Sequence, residues 1–257
     1  MDFTDKVCII TGGANGIGRC IAEAFLSRGA LVAVIDMDEV SGSRLQNRYG
    51  SALLFVRGDV AEKDTLEHFA KKVILTFGHV DYLINNACFS CRGLLSGCSY
   101  DDFDTVLRVG VAAPYYLTLL FKEYFAPGAA IVNIASTRAF MSQPDTESYT
   151  AAKGGIAALT HAMAESLSGR VRVNAVSPGW IDTGAYQHEK GYVPQHSEAD
   201  KAQHAVNRVG EPADIANIVL FLCGEEAGFV TGQNIVVDGG MTKQMIYHGD
   251  CGWTYEP

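Results

Sequence analysis

Seven short apolar runs, at residues 7–11, 31–36, 53–56, 82–85, 131–135, 171–176 and 234–237, alternate with stretches whose apolar side chains recur at helical spacing. Runs of four to six β-formers without polar alternation are what strands buried on both faces look like. Between the fifth and sixth runs, the Ala-rich stretch 149–167 carries Ile156, Leu159, Met163 and Leu167 one helical turn apart. Strand and helix in strict alternation predict βαβ units, right-handed crossovers and a parallel sheet covered by helices on both faces. The expected architecture is therefore α/β: a single Rossmann-type, doubly wound domain with a seven-stranded parallel sheet. A chain of 257 residues, 48% of them hydrophobic, suits one such core better than two small ones.

Two segments stand outside the alternation. Residues 179–208 contain Gly184, Gly191 and Pro194 among charged and amide residues, which predicts a substrate loop or lid with short helices of its own. Residues 241–257 form a C-terminal tail carrying Met245, Tyr247, Trp253 and Tyr255, and aromatic residues so placed are expected to dock on something.

The formal charge of −9 and the lack of any Lys/Arg cluster argue against nucleic acid and anionic lipid as partners. No apolar run approaches the roughly 18 residues needed to span a bilayer, so no membrane association is expected. Only five residues precede Lys6, where the first strand-like stretch opens, as expected of a cytoplasmic chain without a secretory leader. Seven cysteines, an odd number, fit a reducing compartment without disulfides. Cys88, Cys91 and Cys98 lack the fourth ligand of a zinc site, so no metal is expected.

The first run opens directly into Thr11-Gly12-Gly13-Ala14-Asn15-Gly16-Ile17-Gly18, followed by a helical pattern through Ile21, Ala24, Phe25 and Leu26. Glycines between a first strand and a helix permit a tight turn and a close approach of backbone to pyrophosphate, which then rests on the helix N-terminus. Asp36 ends the second run about 20 residues on, where a carboxylate accepts hydrogen bonds from the adenosine ribose and repels a 2′-phosphate. No Lys or Arg stands inside the glycine loop or directly after Asp36. NAD is therefore the expected cofactor, ahead of NADP.

Tyr149 and Lys153 lie four residues apart in the Ala-rich helix and so share a face. Ser136 follows the fifth run, at the carboxyl end of a buried strand. A phenol, an ammonium and a hydroxyl brought together make a proton-transfer site, although a Y-x-x-x-K spacing alone recurs by chance in many helices.

These motifs together resemble the short-chain dehydrogenase/reductase family over residues 6–240. The resemblance rests on the glycine loop, Asp59-Val60, Asn85-Asn86-Ala87, Ser136, the Tyr149/Lys153 pair, Asn174 with Pro178-Gly179, and the segments 208–212 and 231–240. It implies a catalytic set of Ser136, Tyr149 and Lys153. Tyr149 acts as general acid/base, Ser136 holds the substrate oxygen, and Lys153 lowers the tyrosine pKa and binds the nicotinamide ribose. It implies further that Gly12, Asn15, Gly16, Ile17, Gly18, Asp36, Met37, Asp59, Val60, Asn86 and Ala87 hold the adenosine and pyrophosphate half of NAD. Pro178, Gly179, Ile181 and Thr183 then surround the nicotinamide, with Tyr149 and Lys153 beside it. Residues 1–240 become an NAD-binding catalytic domain that interconverts a secondary alcohol and a ketone, assembled as a homotetramer or homodimer. Lowering a phenol from a pKa of about 10 to about 7 requires roughly 4 kcal/mol of preferential stabilisation of the phenolate.

Two positions depart from the family pattern. Gly110 stands where many members have an asparagine that supports a helix kink and a water relay from the lysine; Pro114, four residues on, cannot donate an N–H and so preserves a kink and a free carbonyl. Cys88 replaces a glycine after Asn-Asn-Ala, close to the expected cofactor cleft. Phe89, Leu94, Met141, Trp180, Tyr186 and Trp253 are the expected substrate-facing residues, with Arg92 and Arg138 nearby. This mixture fits a hydrophobic small-molecule alcohol, with a hydroxysteroid or similar alicyclic alcohol ahead of a sugar. A 3-oxoacyl-[acyl-carrier-protein] reductase and a non-catalytic NAD-binding sensor are the rival readings. Asp36 and the acidic charge oppose the first, and Gly110 motivates the second.

Overall fold

The computed structural model describes residues 1–187 and 191–245. Its strands are β1 (Val7–Thr11), β2 (Leu31–Asp36), β3 (Leu53–Arg57), β4 (Val80–Asn85), β5 (Phe125–Ile134), β6 (Arg172–Pro178) and β7 (Asn234–Val237). All pair parallel in the order β3-β2-β1-β4-β5-β6-β7, the doubly wound sheet that the alternation predicts. The fifth run was expected at 131–135; β5 begins earlier, at Phe125, because Pro127 and Gly128 carry its exposed first half past a register shift opposite Val80 and Tyr82. The sixth run, 171–176, is shifted toward Pro178.

Helices α1 (Gly16–Leu26), α2 (Glu39–Tyr49), α3 (Lys63–Phe77), α4 (Tyr100–Leu107), α5 (Ala113–Phe121), α6 (Glu147–Ser166), α7 (Gly184–Gln187), α8 (Glu198–Ala202) and α9 (Pro212–Cys223) cover the sheet. Alternate strand residues face opposite layers, as the period of two requires. Cys8, Ile10, Val32 and Val34 pack with Ile21 and Phe25 of α1 and Ile215 and Val219 of α9. Ile9, Ala33 and Ile35 pack on the other side with Phe69 of α3, Leu117 of α5 and Met163 of α6. No helix among the described residues is long and apolar enough to cross a membrane.

The strand order reverses between β1 and β4, whose carboxyl ends lie side by side with Thr11 opposite Asn85. A crevice opens at such a switch point, and it is here that ligands bind in doubly wound sheets. The segments that follow β1, β4, β5 and β6 all reach this edge, so residues from 12 to 179 meet there.

Between α4 and α5 the chain makes a five-residue π turn, Arg108–Ala112, in which the Ala113 N–H donates to the Arg108 carbonyl. Proline explains the change of pitch. Whether counted by four residues from Gly110 or by five from Val109, the donor would be Pro114, which has no N–H. A Cβ on Gly110 would lie 2.8 Å from the Ala152 Cβ, so the glycine also lets α6 approach this turn.

The segment 179–208 contains α7 and α8, short as the sequence implied. Its base is tied down by a bridge between Ile181 and Gly210, with the Asp182 N–H donating to the Gly210 carbonyl at 2.9 Å. Asp182 also gathers the far side of the loop. It accepts from the Tyr192 hydroxyl at 2.6 and 2.8 Å and pairs with His196 Nε2 at 2.9 Å. Of the tail, Tyr247, Trp253 and Tyr255 lie outside the described residues, while Met245 is exposed.

Candidate active site

Glycine geometry shapes the first part of the crevice. Gly12 has φ +64° and Gly16 φ +55°, left-handed values that cost a side chain strain. A Cβ on Gly18 would lie 2.2 Å from the Gly12 carbonyl oxygen and 2.6 Å from Asn86 Nδ2. The loop and α1 thus touch backbone to backbone. Asn86 locks this arrangement, its Nδ2 donating to the carbonyls of Thr11 at 3.1 Å and Gly12 at 2.9 Å. The N–H groups of Asn86 and Ala87 both donate to Thr11 Oγ1 at 3.0 Å.

The N-terminus of α1 has no side-chain cap and no acid in its first turn. The amide of Asn15 is turned away, donating to Asp38 Oδ2 at 2.9 Å. Uncapped N–H groups at the positive end of a helix dipole suit an anion. Asp36 accepts from the N–H of Ala14 at 2.9 Å and of Asp38 at 3.0 Å, which fixes its carboxylate at the end of β2. The cradle fits a dinucleotide with its pyrophosphate on α1 and its adenosine ribose at Asp36. On that flank Met37 is exposed, Val60 is buried, and Asp59 Oδ1 accepts from the Ala61 N–H at 2.8 Å.

Asp38 caps α2 through the Ser41 N–H and hydroxyl as well as holding Asn15, and these hydrogen bonds bring its carboxyl pKa down to about 2. Its folded pKa lies below the ordinary carboxylate value, so its contribution to stability is present above about pH 4 and is lost as pH falls through about 2. Asp38→Asn is expected to lose less stability than the parent between those two pH values. Thermal melts of both proteins over this range check it.

Beyond the loop, a cleft of about 210 Å³ is lined by Ile17, Asn86, Ser136, Tyr149 and Lys153, and by Pro178, Gly179 and Ile181. These are eight of the residues expected from the sequence, brought from five separate segments. Thr183 lies across from Gly16, whose Cβ position is 3.6 Å from the threonine side chain. Cys88, Ile134 and Ala135 complete the cleft.

Lys153 is buried at 2% exposure, with Nζ donating to the Ile134 carbonyl at 2.6 Å and lying 5.4 Å from the Tyr149 ring centroid. A buried ammonium is costly, and its place on the floor of a cleft marks a functional group. Ser136 Oγ accepts from the Arg138 N–H at 3.1 Å, which leaves its own proton free to donate into the cleft. Burial pushes the Tyr149 phenol above its ordinary pKa and the Cys88 thiol beside it acts in the same direction, while the Ser136 hydroxyl and the Arg138 charge pull it down. In the protein alone, burial wins. The phenol is held in its protonated form.

Some expectations are corrected. Tyr186 does not face the substrate side; its ring lies against Arg19 of α1, 5.9 Å from centroid to guanidinium, and its hydroxyl meets Cys20. Phe89, Leu94, Met141 and Trp180 are 40% exposed or more and lie outside the cleft wall. Trp253 is outside the described residues. Among the described residues no cluster of three or more His, Cys, Asp or Glu could hold a metal ion, and the described cysteines are unpaired thiols.

Sequence reasoning missed Asn133, which sits in an apolar run. Its amide links Asn85 of β4 at 2.8 Å to Thr160 of α6 at 2.9 Å, joining the strand before Ser136 to the helix that carries Tyr149.

A family model described as enoyl-(acyl carrier protein) reductase matches residues 12–242. An uncharacterized oxidoreductase of Thermotoga maritima is 40% identical over 94% of this chain and 98% of its own. A 3-oxoacyl-[acyl-carrier-protein] reductase of the same organism is 31% identical over 94% and 99%. Among solved structures, an apo SCOR enzyme from Clostridium thermocellum superposes with a TM-score of 0.88 at 43% identity, covering 98% of both chains. A blue fluorescent protein from a metagenomic library, in complex with NADPH, has a TM-score of 0.84 at 28% identity over 94% and 99%.

Proposed function

We propose, from the premise that this chain belongs to the short-chain dehydrogenase/reductase family, that it is an NAD-dependent oxidoreductase interconverting a secondary alcohol and a ketone. The observation that carries the reading is the meeting of Tyr149, Ser136 and buried Lys153 in one cleft beside the glycine cradle.

NAD+, when held by the glycine cradle and Lys153, would supply the acceptor for the hydride of the carbinol carbon and a positive charge near Tyr149. The chain supplies the proton chemistry. Ser136, its Oγ already held by the Arg138 N–H, donates to the substrate oxygen. Tyr149 removes the hydroxyl proton, as a general base in alcohol oxidation and the corresponding acid in ketone reduction. Lys153 spends one of its three donors on the Ile134 carbonyl, leaving the others for the nicotinamide ribose hydroxyls. The carbonyl that Pro114 leaves without a donor, at Val109 or Gly110, binds the water that connects Lys153 to solvent, a main-chain device needing no asparagine side chain.

Asp36 supports NAD over NADP, since its carboxylate is fixed at the end of β2 by the Ala14 and Asp38 N–H groups and an acid at such a strand end would repel a 2′-phosphate. The alcohol is hydrophobic, with an alicyclic alcohol such as a hydroxysteroid as the narrower reading. Residues 1–240 act as one cytoplasmic NAD-binding catalytic domain, with 179–208 as its substrate loop or lid and 241–257 as the C-terminal aromatic tail of the same domain. Exposed Tyr100 of α4 and Tyr115 and Leu119 of α5 support a homotetramer. A 3-oxoacyl thioester is the second reading, favoured by the 31% identical reductase of Thermotoga maritima.

The test is cofactor reduction with NAD+ and NADP+ against a panel of secondary alcohols and a 3-hydroxyacyl thioester. NAD+ is expected to be preferred by at least about tenfold, and Asp36→Ser to reduce that preference to near parity. Preference for NADP+ together with the thioester supports the second reading instead.

A further inference from the structure

We propose that Arg138 anchors a carboxylate on the substrate, so that the alcohol this protein oxidises is a hydrophobic hydroxy acid and its product the corresponding keto acid. The proposal rests on the reading of the site as a secondary-alcohol oxidoreductase and names its substrate class.

Arg138 stands on the short turn Thr137–Ala139 that leaves β5, two residues beyond Ser136, with its own N–H on the Ser136 hydroxyl. Whatever oxygen Ser136 holds, the guanidinium belongs to the same turn. Its charge reaches the reacting phenol, since it is one of the groups that lower Tyr149. The side chain is partly buried, and its hydrogen bond goes from Nη2 to the neutral amide oxygen of Gln143. No carboxylate among the described residues pairs with it. The acids that come next in the chain are committed elsewhere: Asp145 accepts from the N–H groups of Leu95 and Ser96, and Glu147 from that of Leu94. Arg92, the other cation expected near the site, acts on Asp145.

A permanently charged guanidinium on the turn that carries Ser136, held among the described residues by one neutral partner, leaves Nε and Nη1 to a ligand. That planar fork matches a carboxylate in bidentate fashion. Phe140 and Met141, which follow Arg138 in the chain, and Trp180, next to the cleft-lining Gly179, present exposed apolar surface outside the cleft wall, at 53%, 41% and 40%. One cation amid apolar side chains describes an anionic, otherwise hydrophobic substrate. A phosphate ester calls for more positive charge than Arg138 alone provides, and a neutral thioester gives the guanidinium no partner.

The experiment compares 3-hydroxycyclohexanecarboxylate with its methyl ester as substrates with NAD+. In parallel, binding of cyclohexanecarboxylate and cyclohexanecarboxamide to the NAD+-loaded protein is measured by calorimetry. The acid is expected to exceed the ester in kcat/KM by at least about tenfold, chiefly through KM, and the carboxylate to bind at least about tenfold more tightly than the carboxamide. Arg138→Gln is expected to bring both ratios within about twofold of unity, and Arg138→Lys to restore part of each. Ratios near unity in the parent protein, or ratios unchanged in Arg138→Gln, overturn the proposal. Where neither compound is turned over, the binding ratios decide it in the same way. The catalytic reading fails by a different sign: no Tyr149-dependent formation of NADH with any secondary alcohol, whatever the carboxylate selectivity.

Discussion

Gly18→Ala is expected to weaken NAD+ binding by at least about a hundredfold and to lower the melting temperature, because the methyl has no place to go. It would sit 2.2 Å from the Gly12 carbonyl oxygen and 2.6 Å from Asn86 Nδ2. Neither neighbour is the free end of a flexible side chain. The Gly12 carbonyl belongs to a turn already at φ +64°, and Asn86 Nδ2 is bonded to that same carbonyl. Relief therefore requires α1 to part from the glycine loop, which breaks the Asn86 link and moves the uncapped N–H groups proposed to hold the pyrophosphate. Overpacking of this kind costs about 1–3 kcal/mol in stability, and the loss of binding adds to it because the cradle itself deforms. Gly16→Ala serves as the contrast: its φ of +55° strains a side chain, yet Thr183 stands 3.6 Å from the Cβ position, so binding falls without a comparable steric collapse. Calorimetric titration with NAD+ alongside thermal melts separates the two. Near-parental affinity in Gly18→Ala would show that the loop is not the cofactor's seat.

Much of this frame was legible in the sequence because burial on both faces leaves an unambiguous mark. β4 is buried at every residue and its core reads as an uninterrupted apolar run. The first half of β5 left no such mark, since Pro127 and Gly128 are exposed and read as a break. The π turn was legible only as a kink. Pro114 signals that a hydrogen bond is missing, but the choice of a wider turn depends on how α6 packs against Gly110, a contact between residues 42 positions apart in the chain.

The residues proposed as the catalytic set stood out in the sequence because such chemistry demands particular residue types at the ends of recognisable elements, and the structure brings these residues to one cleft. What surrounds it could not. Cys88 meets Tyr149 only once β4 and α6 are brought to the same edge, and the Asp182 anchor of the loop joins residues from Tyr192 and His196 that carry no local signature. Tyr186 was misread for a related reason: an aromatic residue in a candidate lid looks substrate-facing until the loop's path over Arg19 is known. Arg138 was visible as a nearby cation, but that no acid among the described residues pairs with it depends on where Asp145 and Glu147 turn.

Tyr149→Phe carries the other large expected effect. The substitution keeps the ring that packs near Lys153 and removes only the hydroxyl that faces Ser136 and Cys88. Loss of a positioned general acid/base lowers turnover by about 10²–10⁴-fold, and the upper part of that range is expected here. Among the described residues that line the cleft there is no carboxylate or imidazole to take the alcohol proton in its place. The Kd for NAD+ should stay within about threefold of the parent, since the contacts proposed for the pyrophosphate and the riboses lie on α1, Asp36 and Lys153. A joint loss of binding and turnover would point to a structural role for the tyrosine.

The most direct measurement follows the hydride itself. A secondary alcohol deuterated at its carbinol carbon is incubated with NAD+ and either protein, and the reduced cofactor is examined by mass spectrometry. The account predicts deuterated NADH from the parent and almost none from Tyr149→Phe at equal NAD+ occupancy. Undeuterated NADH from the parent, or deuterium transfer that persists in Tyr149→Phe, would contradict it.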